Sequence, residues 1–207
     1  MQKKLRGSSE FGCRHDLDTL SPSSVISVGT ATQRQIAGLA GIARREIPGV
    51  NACEAELSHF LRADPELIFA FCHGDRLLGG IAFLYLNCRG HDALLLDEID
   101  LRRPAREFLA MPDEDVSAIY VWALAASGRA VVGIGNVAAY LRRPRFVNAD
   151  YFAQPSSAAG RDLLIALGFS RIASFQSDLW RYERPWKRLP LLPVSKFSSR
   201  SLGDVQC

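Results

Sequence analysis

The chain has no apolar run approaching the roughly 18–20 residues that span a bilayer, so no transmembrane helix is expected. It has no C-x-x-C pair either. The five cysteines (Cys13, Cys53, Cys72, Cys88, Cys207) are odd in number and scattered, which argues against a disulfide framework or a cysteine zinc site. His15, His59, His73 and His91 do not recur at the spacing that would place two imidazoles on one helix face. No metal is therefore expected. Behind Lys3, Lys4 and Arg6 there is no apolar stretch of the kind a secretory leader needs. No internal repeat is visible. Together these absences predict a reduced, cytoplasmic protein without a membrane partner.

Positive charge is scarce where a nucleic-acid surface would need it. The formal net charge is +3, but residues 184–207 carry Arg184, Lys187, Arg188, Lys196 and Arg200 against Asp204, a net of +4. Residues 1–24 add +1, which leaves −2 for 25–183 by difference. A nucleic-acid partner is thereby not expected, and the basic balance belongs to the tail.

What the chain does contain is an ordinary globular composition, 48% apolar and 23% charged over 207 residues, enough for one α/β domain with a substantial core. Residues 1–24 lack periodicity and read as a disordered N-terminal segment, 25–183 as the domain, and 184–207 as a basic, Pro/Ser-containing tail. Val25–Val28 is a short β-branched run. Ile36, Leu39, Ala40, Ala43 and Ile47 recur at helical spacing up to Pro48-Gly49, and a second helix is predicted over Glu54–Arg62. Leu67–Cys72 and Leu77–Leu86 read as a hairpin turned at His73-Gly74-Asp75. Residues 88–117 read as polar and irregular. Ala118–Ala126 is a nearly continuous apolar strand, as expected of one buried on both faces. A helix is predicted over Gly135–Leu141 and a strand over Phe146–Ala153. A further helix, capped by Ser156 or Ser157, runs to Leu167 with Gly168 at its left-handed end, and a last strand pattern covers Ile172–Tyr182. The order predicts a mixed central sheet flanked by helices.

The most informative unit is 118–141, where a strand gives way to a loop with Gly128, Gly133 and Gly135 and then to a helix. Backbone N–H groups of such a loop, with the free amides of the first helical turn, can bind a pyrophosphate. Glycine lets the phosphate approach the backbone. The alternative is a tight turn rich in glycine for its own sake.

This arrangement resembles the GNAT superfamily of N-acetyltransferases, whose loop Gln/Arg-x-x-Gly-x-Gly/Ala opens the helix that holds the pyrophosphate of coenzyme A. Here the stretch is Arg129-Ala130-Val131-Val132-Gly133-Ile134-Gly135: the two last glycines match, Ala130 occupies the first motif position, and Arg129 lies one residue upstream. The family's closing Leu-Gly-Phe is matched by Leu167-Gly168-Phe169. The resemblance spans roughly 25–183. It implies acetyl-CoA as co-substrate, held by Gly128, Arg129, Val132, Gly133, Ile134, Gly135 and Asn136, with the acyl carbonyl facing a backbone N–H near Leu124 or Ala125. It further implies direct transfer to an amine, on a small molecule or a peptide, in a ternary complex. A homodimer is an assembly this reading allows.

The family's frequent tyrosine, four residues before the glycine of Leu-Gly-Phe, is replaced by Leu164, and 118–126 carries no carboxylate. Candidate substitutes are Tyr120, which shares a strand face with Trp122, Tyr151 on the next strand, and Glu98, with Asp97 and Asp100, as amine receptor or base. Core packing and a solvated loop are their ordinary roles. Two rival functions stay open, beside a degenerate protein that binds nothing. One is a non-catalytic acyl-CoA-binding protein on the same fold. The other is a nicotinamide dinucleotide site, since Gly133-Ile134-Gly135-Asn136-Val137-Ala138 also fits G-x-G-x-x-A, with Asp150 beyond it for a ribose hydroxyl.

Overall fold

A computed structural model describes residues 25–47, 49, 54–126 and 128–182. The predicted N-terminal segment 1–24 and the tail 184–207 lie outside the described residues. Strand β1 (Ser27–Thr30) leads into helix α1 (Gln33–Glu46), whose start is tied by Gln35 Oε1 accepting the Thr32 N–H at 2.9 Å. Helix α2 (Glu54–Ala63) precedes the hairpin β2 (Ile68–His73) and β3 (Arg76–Leu86), with Gly74 in the left-handed conformation at the turn.

The segment expected to be irregular instead opens with α3 (Cys88–Leu95). Its N-cap Asn87 accepts the Gly90 N–H at 2.9 Å, a capping signal that the surrounding charges obscure. Then come β4 (Ala118–Ala126), α4 (Gly133–Tyr140), β5 (Asp150–Ala153), α5 (Ala158–Ala166), β6 (Phe169–Arg171) and β7 (Trp180–Tyr182). Ser157 caps α5 by accepting the Gly160 N–H at 3.0 Å, and Gly168 has φ 88°. The predicted strands at 146–153 and 172–182 shorten. Pro144–Phe146 is a 3-10 turn, and β6 and β7 are separate strands joined by 172–179.

The seven strands form one mixed sheet in the order β1-β2-β3-β4-β5-β7-β6. Every neighbouring pair is antiparallel except β4 and β5, which are parallel. Within the β3–β4 ladder, Ala82 opposes Ala123 and Phe83 opposes Val121, so Trp122 is an extra residue, a β-bulge. The bulge has a visible consequence. Val121 and Ala125, four apart, would share one face of a regular strand. Instead Ala125 packs with Ile42 and Ala43 of α1, whereas Val121 packs against the Leu164 cluster of α5. Helices α1 and α2 thus lie on one face, the latter through Phe60 edge-on to Trp122 at 5.2 Å. Helices α4 and α5 lie on the other, α4 through Tyr140 against Phe69 at 4.8 Å. The largest core cluster is built on Ile36, Phe71, Leu84, Leu86, Ile119 and Phe152. Among the described residues no helix is long and apolar enough to cross a membrane.

Candidate acyl-thioester site

The parallel ladder is short. It ends at Val121↔Ala153, after four registered pairs that begin at Ala118↔Asp150. Beyond Ala153 comes Gln154-Pro155, and proline has no N–H to continue a ladder. Strand β4 nevertheless runs on to Ala126, still paired to β3 through Gly79↔Ala126. Among the described residues nothing pairs with the other edge of Trp122–Ala126, so β4 and β5 diverge as a fork whose bend is the Trp122 bulge. This overturns the expectation of a strand buried on both faces: Trp122, Ala123, Leu124 and Ala126 are only half-buried. Successive residues of an antiparallel strand point their N–H groups to opposite edges, so one of Leu124 and Ala125 offers its N–H to the open side.

The fork leads into the glycine segment. Gly128 has φ 57°, and Gly128–Val132 is a 3-10 helix that runs straight into α4, which begins at Gly133 rather than at Gly135. Val132 is itself helical and supplies no side-chain cap, so the 3-10 turn and α4 form one continuous helix whose leading amides are those at Gly128–Ala130. The two motif glycines play different parts. A Cβ on Gly135 would meet nothing within 4 Å, whereas one on Gly133 would lie 2.9 Å from Phe71 Cδ1 and 3.1 Å from Val28 Cγ2. Gly133 is therefore a packing glycine, and Gly135 faces open space beside Asn136, also exposed. Ile134 is half-buried and Val132 exposed. Arg129 is exposed, and Ala130, at the first motif position, is fully buried.

The candidate catalytic residues have separate hydrogen-bond partners. Tyr120 is buried on β4, and its hydroxyl donates to Gln154 Oε1 at 2.7 Å. Burial holds its pKa well above the ordinary tyrosine value. Tyr151 donates to the Leu141 carbonyl at 3.2 Å, at the C-terminal end of α4, away from the glycine segment. Glu98 is exposed and its N–H bonds the Ala93 carbonyl at 2.8 Å. Asp100 Oδ1 accepts the Arg102 N–H at 2.9 Å. The acidic stretch does reach β4 at one point, where the Trp122 indole N–H donates to the Leu101 carbonyl at 2.8 Å. Among the described residues no group of three His, Cys, Asp or Glu side chains is placed to hold a metal.

Gln154 was not singled out for chemistry by the sequence. It accepts from Tyr120 and donates from Nε2 to the Ser177 carbonyl at 2.6 Å. Its only signal was its place between a strand and a proline.

No family model matches the chain, and no curated protein matches it. Solved structures do. The loading GNATL domain of CurA from Lyngbya majuscula superimposes with a TM-score of 0.57 at 10% identity, covering 77% of this chain and 98% of that one. A second is the GphF GNAT-like decarboxylase in complex with isobutyryl-CoA, with a TM-score of 0.50 at 16% identity, covering 69% of this chain and 72% of that one. The fold is GNAT-like, as in these two structures. It removes the dinucleotide reading at the level of architecture. The residues before Gly133 form a 3-10 helix and no strand, and the sheet holds one parallel pair where a doubly wound sheet needs several.

Proposed function

We propose that this chain is an acyl-CoA-dependent acyltransferase that moves an acetyl group to an amine by direct transfer in a ternary complex. The observation that carries the reading is the fork: an unpaired β4 edge over Trp122–Ala126 that leads into the Gly128–Asn136 segment, exposed at Gly128, Arg129, Gly135 and Asn136. An extended thioester arm carrying amide groups suits such an edge, because the edge presents unpaired N–H and C=O groups. A pyrophosphate suits the start of this continuous helix, on the side where Gly135 leaves open space. The GphF structure supports the choice of ligand, since that neighbour is in complex with isobutyryl-CoA.

In the proposed reaction the amine nitrogen attacks the thioester carbonyl. A new C–N bond forms, the C–S bond breaks, and coenzyme A leaves as thiolate while the amine proton passes to a base. The open N–H of Leu124 or Ala125 would stabilise the carbonyl oxygen as it gains charge. Tyr120 is a poor acid here, because its proton is committed to Gln154 and its ionisation is opposed by burial. In this scheme a water chain would carry the amine proton to solvent. The acceptor would enter beside Trp122 and the 97–101 stretch, in a cytoplasmic protein that acts alone or as a homodimer.

One observation favours a second reading. Leu164, where the family's tyrosine would stand, is buried with Ala153 and Trp180, and β4 carries no carboxylate. A protein that binds acyl-CoA without transferring the acyl group fits this as well. The discriminating experiment is thermal unfolding with acetyl-CoA, CoA, NADH and NADPH, followed by an amine screen for free thiol release. A ligand at about a hundred times its Kd adds roughly 2.7 kcal/mol. Stabilisation by the two CoA compounds with thiol release supports transfer, and stabilisation without release supports the binder. No response to either CoA compound sinks both readings.

A further inference from the structure

At the root of the fork one side chain bridges two elements that no ladder joins. Gln154 stands one residue past the last β4–β5 pair. Its Oε1 accepts from Tyr120 of β4 at 2.7 Å, and its Nε2 donates to the Ser177 carbonyl at 2.6 Å. Ser177 belongs to the 172–179 connection between β6 and β7. The orientation of this amide follows from chemistry. A backbone carbonyl can only accept, so Ser177 fixes the NH2 end, the oxygen must face Tyr120, and the Tyr120 hydroxyl must donate.

The connection is held at other points as well. The Phe175 N–H bonds the Leu95 carbonyl at 3.0 Å, and the Ile172 N–H bonds the Leu179 carbonyl at 3.0 Å. Asp178 accepts from the Trp180 indole at 3.1 Å and pairs with Arg161 of α5 and Arg171 of β6, both at 3.4 Å. These bonds fasten the connection to α3, α5, β6 and β7. Among the described residues, the bond from it to β4 runs through Gln154 and Tyr120, next to the last backbone pair.

We infer that Gln154 is a positioning residue that sets the width of the fork by tying β4, through Tyr120, to the β6–β7 connection, and thereby positions the acyl-thioester arm. This rests on the acyl-CoA reading above. With the tie broken, the fork loses its fixed width, and a ligand must restore that order when it binds.

The test measures acetyl-CoA affinity by calorimetry for the full chain and for Gln154→Leu, Gln154→Glu, Tyr120→Phe and the Gln154→Leu/Tyr120→Phe double variant. Amide exchange of Ser177–Leu179 is followed with and without acetyl-CoA. Each single variant is expected to bind roughly tenfold more weakly, the worth of about one hydrogen bond to a well-placed group. The double variant is expected to lose no more than Gln154→Leu, because both changes cut one tie. Acetyl-CoA should slow exchange at Ser177–Leu179 in the parent chain and fail to do so in the Gln154 variants. If Gln154→Leu does not fold, Gln154→Glu still removes the donor to Ser177 while keeping an acceptor for Tyr120. Unchanged affinity in the Gln154 variants, or fully additive losses in the double variant, overturns the inference and leaves the acyl-CoA reading standing. A parent chain that binds no acetyl-CoA overturns that reading first.

Discussion

A methyl group placed on Gly133 would lie 2.9 Å from Cδ1 of Phe71, inside the closest approach that carbon atoms accept. The two motif glycines therefore give opposite results on substitution. Gly133→Ala forces Phe71 or α4 to move and should cost about 1–3 kcal/mol in urea unfolding. Gly135→Ala adds a methyl group to open space in a helix and should raise stability by up to about 1 kcal/mol. Gly135→Leu should leave folding intact and abolish the response to acetyl-CoA. Retained response would remove Gly135 from the site.

Trp122 combines the bulge, the edge contact with Phe60 and the bond to the Leu101 carbonyl. Trp122→Phe keeps an aromatic ring and deletes the N–H, leaving a half-buried carbonyl without that partner. The expected loss is about 1–3 kcal/mol. Amide exchange should quicken around residues 100–103, where the tie to β4 is cut. A variant as stable as the parent would show that the indole bond contributes nothing.

Arg145 and Arg143 make a controlled pair. Arg145 is 16% exposed and reaches Asp64 at 3.4 Å and Glu66 at 3.6 Å, while it also donates to the carbonyls of Met111 and Glu114. Removing it leaves Asp64, 11% exposed, without that cation. Arg145→Met should cost about 2–4 kcal/mol. Arg143 pairs with Glu66 at 3.1 Å but is 54% exposed, and Arg143→Met should cost at most about 1 kcal/mol. Equal losses in chemical denaturation would contradict this ordering.

Burial raises the pKa of Tyr85 and of Tyr120 above the ordinary tyrosine value. The unfolded chain ionises these phenols near pH 10 while the folded chain keeps them neutral, so above about pH 10 the unfolded state binds fewer protons. Stability is then fully present below about pH 10 and falls as pH rises beyond it. Tyr85→Phe should flatten that fall. Tyrosinate absorbance followed during alkaline unfolding checks it, and an unaltered slope would exclude Tyr85 as a contributor.

The order of elements was legible because most of them carry their own local signals. Ile36, Leu39, Ala40 and Ala43 mark α1, Gly74 marks the hairpin turn, and Ser157 with Gly168 marks the two ends of α5. Helix α3 escaped because its cap is an asparagine at the end of a strand and its buried face is only Gly90, Ala93 and Leu94. The glycine motif was found, but the division of labour between Gly133 and Gly135 was not. That division depends on Phe71 and Val28, which come from distant strands. The bulge and the fork were equally hidden. A continuous apolar run from Ala118 to Ala126 does not record where its neighbour on one side stops. Gln154 was unremarkable for the same reason, since its meaning lies in Tyr120 and Ser177, which are 34 and 23 residues away in sequence.

The open edge of β4 also bears on how the protein behaves in bulk. Trp122-Ala123-Leu124-Ala125-Ala126 is apolar, uncharged and free of proline, and an unpaired strand of that kind is a template for another chain's backbone. Whatever small molecule lies along it also stands where an invading strand would pair. Preparations without that molecule should clump sooner on storage, and a compound that restores clear solutions would be a practical lead to what the edge was made to hold.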